Sequence, residues 1–190
     1  MDLNWLKQQA RRAYWAVETG DVSDLGEFIA PQWRNREAEA EPPAAKGVGP
    51  AAFAATIAWL RGAYTELQFV EEESIAEGDT VMSRAVMSGR HTGALVLQNG
   101  DRLQVVPPTG RRFAVEQIHV HRFDDEGRAV EHIARRDDLG MMVQLGLFPP
   151  KPATMMRAVS WSVSGRSRAA RRDFLALTGD VPAQTAVQSY

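Results

Sequence analysis

The stretch Arg112–Asp138, RFAVEQIHVHRFDDEGRAVEHIARRDD, decides the fold. Apolar and polar side chains alternate with a period of two on both sides of FDDEGRA, the pattern of two strands joined by a tight turn. A three-residue loop, Asp125-Glu126-Gly127, with Gly127 in the left-handed conformation, pairs Asp124 with Arg128. In that register His121 lies opposite Glu131, His119 opposite Ile133, Gln117 opposite Arg135 and Val115 opposite Asp137. His119, His121, Glu131, Arg135 and Asp137 then share one face of the sheet. A one-residue change of loop length moves Asp137 to the other face.

Outward from this hairpin, the strand pattern extends back to Leu67 through LQFVEEESIA and TVMSRAVMSG. Between them and the hairpin, ALVLQNGDRLQVV centres Asn99-Gly100 between two alternating arms, a second hairpin signal. Further back the period becomes helical. Leu3, Leu6, Ala10, Ala13 and Val17 trace one buried face that Gly20 ends. Leu25, Phe28 and Ile29 suggest a short second helix stopped by Pro31, NREAEAEPPAAKGVG reads as loop, and Pro50 opens a third helix along Phe53, Ile57, Leu60 and Tyr64. After the last strand, Leu139, Met142, Val143 and Leu145 suggest a short helix ended by Gly146. Helices first and antiparallel strands afterwards predict an α+β fold, with helices packed on one face of a curved sheet.

The 190-residue chain is 44% hydrophobic, enough for one domain with a core, placed at 1–150. Residues 151–190 read as a basic C-terminal extension, partly helical or disordered. They hold six basic and two acidic residues, a net of +4, against −6 for residues 1–150, which carry the other sixteen basic and twenty-two acidic residues. Such a tail reads as solvated or self-docking rather than as a nucleic-acid contact. The chain has no cysteine, which rules out a thiol nucleophile or disulfide framework and favours the cytoplasm. The start MDLNWLKQQARRAYW has no apolar run suited to a signal peptide or membrane span.

Asp137 and Asp138 stand where the last strand turns into a helix, and three roles fit them. Aspartate is among the best helix caps, the charges could be solvated surface, or Asp137 at an inward-facing strand end could be a general acid/base. His91, at the end of a strand beside Thr92-Gly93, could line a pocket or satisfy a neighbouring backbone group. Tyr14, Trp33 and Trp59 sit on or beside the covering helices, as core or as an aromatic wall for a ligand. A His119, His121 and Glu131 metal site is possible by residue type, but no metal is expected.

Four motifs in order, SGRHTG (88–93), PPTGRRF (107–113), IHVHRFDDEGRAVEH (118–132) and DDLGMMVQLG (137–146), resemble the SnoaL-like polyketide cyclases, or ester cyclases, of the nuclear transport factor 2-like superfamily. The resemblance covers about residues 5–148. It implies a cone, a strongly curved antiparallel sheet around a pocket covered by the N-terminal helices. It also implies an intramolecular aldol ring closure without cofactor or metal, with Asp137 as acid/base, and His121 or His119 assisting. Arg135, His91, Tyr14, Trp33 and Trp59 would contact a polyketide-like, apolar or polycyclic substrate, and a homodimer is expected, with no nucleic-acid or membrane partner. Against the family pattern, Ile133 replaces a common tryptophan, Arg36 a frequent histidine and Val17 a frequent tryptophan, and the Asn99-Gly100 hairpin lengthens a usually short link. A non-catalytic ligand-binding or dimer-scaffold role is the main alternative. An epoxide hydrolase or hydroxylase-like activity, with Arg135 beside Asp137 activating water, is a further one.

Overall fold

The computed structural model describes residues 2–177. Helix α1 (Leu3–Thr19) starts where the Asp2 carboxylate accepts from the amides of Asn4 and Trp5, and ends at Gly20, whose φ of 77° closes the last turn. Its buried face carries Leu6, Ala10, Ala13 and Val17, as the periodicity predicts, together with Tyr14, whereas Leu3, expected on the same face, is exposed. The expected second helix is one turn only, α2 (Leu25–Phe28), and Ile29–Asn35 continues as strand β1. Pro31 does not stop the chain there, because β1 lies at the edge of the sheet, where a missing N–H is tolerated. Two short 3-10 turns, Ala38–Ala40 and Pro43–Lys46, shape the segment expected as loop. Helix α3 (Gly49–Ala63) follows, with Pro50 in its first turn.

The remaining strands are β2 (Tyr64–Glu77), β3 (Thr80–His91), β4 (Leu95–Asn99), β5 (Arg102–Val106), β6 (Arg112–Phe123) and β7 (Ala129–Arg136). Five of the seven form one sheet in the order β1-β7-β6-β3-β2, antiparallel except for β1, which runs parallel to β7. The β4–β5 hairpin stands apart as a two-stranded sheet, and its turn is Gly100-Asp101, since Asn99 pairs with Arg102. Register breaks at two places in β2 and one in β7 add bends to the curved main sheet. Against its inner face, Leu6, Phe28, Trp33, Phe53 and Ile57 build the core together with the helices.

The turn of the decisive hairpin closes as expected: the Asp124 amide donates to the Arg128 carbonyl at 2.9 Å, and Gly127 has φ 73°. Phe123 pairs with Ala129, also as expected. The register then breaks, and Val130 is the extra residue. Beyond it Arg122 pairs with Glu131, His121 with His132, His119 with Ala134 and Gln117 with Arg136. A single bulged residue exchanges the two faces of the strand. The expected one-sided set is thereby corrected: His132 joins His119 and His121 inside, while Glu131, Arg135 and Asp137 turn outward.

Helix α4 (Asp138–Gln144) follows β7, with Gly146 at φ 72° after it. Two further helices, α5 (Pro152–Val163) and α6 (Arg166–Leu175), follow; Phe174 and Ser167 of α6 are buried. The rest of the extension, 178–190, lies outside the described residues.

Candidate active site

Alternation along β6 points Gln117, His119 and His121 inward, and the bulge in β7 brings His132 to meet them. His119 and His121 are buried, and their rings lie 6.5 Å apart, nearly parallel. His132 sits against both, with ring centroids at 5.3 Å from His119 and 4.8 Å from His121. The parallel pairing of β1 with β7 sets Asn35 beside His132. A continuous polar chain results: Gln117 Oε1 to His119 Nε2 at 2.9 Å, His119 Nδ1 to His132 Nε2 at 3.0 Å, and His132 Nδ1 to Asn35 Oδ1 at 3.1 Å. Asn35 Nδ2 then donates to Glu41 Oε1 at 2.9 Å, and Thr56 Oγ1 donates to Glu41 Oε2 at 2.5 Å. His121 Nε2 is buried with no hydrogen-bond partner.

Burial sets the electrostatics. It pulls His121 down to about 4, so that this imidazole is neutral near pH 7 and holds an available lone pair. Burial, His121 and Arg136 together lower His119 to about 3, and burial with the neighbouring imidazoles and Arg136 lowers His132. Tyr14 covers the cluster from α1: its ring stacks on Phe69 at 4.9 Å and meets His119 edge-on at 5.1 Å, and its hydroxyl is 2.6 Å from Ser83 Oγ. Burial raises that phenol to about 12, so it stays protonated.

The other expected site residues lie elsewhere. The Asp137 carboxylate is exposed and accepts from the Gly140 amide at 2.8 Å, making it the cap of α4. The expected face, shared with the histidines, is corrected: the Val130 bulge sets Asp137 alongside Glu116 on the outer face. Arg135 is exposed and paired with Glu37 across to the β1 side. His91 is fully buried at the far end of β3, with Nδ1 3.3 Å from Thr109 Oγ1, and burial pulls it down to about 4. Trp33 belongs to β1, not to a covering helix, and is buried with its ring 5.3 Å from that of Phe53. Trp59 donates its indole N–H to the Val96 carbonyl at 2.9 Å. It lines a groove of about 400 Å³ between α3, β4 and α6, in which Trp161 and Phe174 also take part.

Among the described residues, His119, His121 and His132 form a group whose ligand-type atoms all lie within 4.8 Å of one another. The nitrogens of His119 and His132 are engaged with each other, with Gln117 and with Asn35, whereas His121 Nε2 has no partner. The Glu131 once considered beside them pairs instead with Arg36 at 2.7 Å on the outside. Three partners escape a sequence reading. His132 is hidden by the bulge, Asn35 by the unexpected strand β1, and Glu41 by a polar loop that gives no sign of burial. Gln117 is legible, because it alternates with the two histidines.

The SnoaL-like polyketide cyclase family matches residues 8–145 of the chain. An aklanonic acid methyl ester cyclase, DauD, of Streptomyces sp. (strain C5) is 38% identical over 143 residues, spanning 75% of this chain and 82% of that protein. A nogalonic acid methyl ester cyclase of Streptomyces nogalater is 36% identical over 132 residues, 69% of this chain and 90% of its own. The structure of TsrD from Streptomyces laurentii superposes with a TM-score of 0.64 at 26% identity, covering 78% of this chain and 99% of that one.

Proposed function

Because the chain belongs to the SnoaL-like polyketide cyclase family, we propose that it is a cofactor-independent enzyme closing a ring in a polyketide methyl ester by an intramolecular aldol reaction. The observation that carries this reading is the enclosed histidine cluster, with one neutral imidazole nitrogen left free at His121. Its Nε2 takes the proton from a carbon flanked by two carbonyl groups, which is already acidic. The enolate carbon attacks a carbonyl carbon of the same substrate molecule. One carbon–carbon bond forms, the attacked C=O becomes an alkoxide, and a neighbouring histidine returns a proton to that oxygen. Folding the chain into reach of itself contributes as much as the proton transfers do. Tyr14 now covers the cluster, so a substrate reaches His121 by displacing it. Asp137 takes no part in this version, since its carboxylate caps α4.

The test is direct. Incubated with aklanonic acid methyl ester, the full chain should give a product of unchanged mass and altered absorption, and His121→Ala should lower kcat by roughly a hundredfold or more. Parent-like turnover in that variant overturns the assignment. The competing reading, a protein that binds a polyketide without converting it, is favoured by one observation: Ala134, not an acid, stands opposite His119. Retention of unchanged ester would decide for it. The reading includes a cytoplasmic homodimer, supported by the exposed apolar Val70, Ile75, Met82 and Ile118 on the outer face of β2, β3 and β6. A single-chain mass by light scattering removes that part.

A further inference from the structure

Counting donors and acceptors through the cluster leaves one proton to be placed. Asn35 Oδ1 accepts from the backbone N–H of Glu37 at 3.1 Å, and a backbone N–H cannot accept in return. The amide is thereby held with Nδ2 towards Glu41. His132 Nδ1, 3.1 Å from the same oxygen, must carry a hydrogen. At the other end, Gln117 Nε2 donates to Met87 Sδ at 3.0 Å, which leaves Oε1 facing His119 Nε2, so this nitrogen carries a hydrogen too. His119 Nδ1 and His132 Nε2 remain, facing each other at 3.0 Å. With both rings neutral these would be two lone pairs in contact. One more proton turns that repulsion into an N–H···N bond.

We propose that His119 and His132 share a single proton as an imidazole–imidazolium pair, and that the buried Glu41 carboxylate, reached through the Asn35 amide, is its counter-charge. Burial opposes both charges, lowering the two histidines and raising Glu41. Of the groups facing the chain, His121 and Arg136 also resist the extra proton, whereas Lys46 and Arg136 favour ionised Glu41. The arrangement holds because each charge is hydrogen-bonded and the chain is neutral as a whole; removing one partner leaves the other buried alone. Resting on the cyclase reading, the pair is the acid that protonates the alkoxide, while the unpartnered His121 is the base. Glu41 is a positioning residue. It sets the charge of histidines that meet the substrate and does not itself meet it.

The rival arrangement turns the Gln117 amide over, placing its oxygen against the Met87 sulfur and leaving both rings neutral. Nitrogen-15 histidine NMR of the full chain at pH 7 separates the two. Expected are three ring N–H groups across His119 and His132, with a low-field shared proton that Glu41→Gln abolishes and Glu41→Asp keeps. Two ring N–H groups in the unmodified protein overturn the proposal, and that spectrum decides even where Glu41→Gln fails to fold. In turnover, Glu41→Gln lowers kcat by roughly a hundredfold with KM little changed. The spectra need no substrate, so a shared proton in a protein that does not cyclise the ester sinks the cyclase reading alone, and neutral rings in an active cyclase sink the pair alone.

Discussion

Two aspartates of similar sequence context can have opposite fates, and Asp137 shows what decides between them. An aspartate at the end of a strand is equally suited to a pocket or to a helix cap; here the Gly140 amide takes the carboxylate, and the face of β7 on which it stands is the outer one. Asparagine caps a helix about as well as aspartate, so Asp137→Asn should leave both turnover and the urea midpoint nearly unchanged, whereas Asp137→Ala should cost about 1 kcal/mol of stability. A tenfold loss of kcat in the Asn variant would restore the carboxylate to the chemistry. His121 illustrates the converse. Nothing in its immediate sequence distinguishes it from a core histidine; its Nε2 lacks a partner, as does that of His91, and its place beside His119 and His132 is what marks it.

Among the elements, those with a long unbroken period were legible in the sequence, α1, α3 and the alternating strands β3 and β6, and β2 was legible despite its two register breaks. β1 was not, because Leu25, Phe28 and Ile29 have helical spacing and Pro31 resembles a stop; pairing with β7 overrides both signals. The Val130 bulge leaves no mark in composition, and it decides which half of β7 meets the histidines. Glu41 is likewise silent, since its burial comes from the fold of the two 3-10 turns around Pro42 and Pro43. The α5–α6 extension is anchored through Phe174, which is 3% exposed against the α3–β4 side. Phe174→Ala should cost up to about 3 kcal/mol at that contact, read as faster amide exchange in α6 with the main sheet unchanged. Unaltered exchange there would mean that α6 is held by its neighbour α5 instead.

For the molecule as a whole, buried neutral histidines tie stability to pH. His91 and His121 are lowered from 6.5 to about 4 by burial. The unfolded chain takes up a proton on each near pH 6.5, and the folded chain only near 4, so between these values the unfolded state binds more protons and stability falls as pH falls. Each contributes a slope of up to about 1.4 kcal/mol per pH unit, with its full stabilisation present above pH 6.5. Urea unfolding at pH 7.5 and 5.5 should show the drop, and His91→Gln should flatten it; equal midpoints at both pH values would mean that these rings ionise freely in the native state.

The parallel seam between β1 and β7 has a consequence for control. Asn35 and His132 face each other across it, at the outermost strand of the sheet, where only one neighbour secures the backbone. On the proposed charge pair, opening of that border would part Glu41 from the imidazoles, and the acid strength of the cluster would then be set from the sheet's edge.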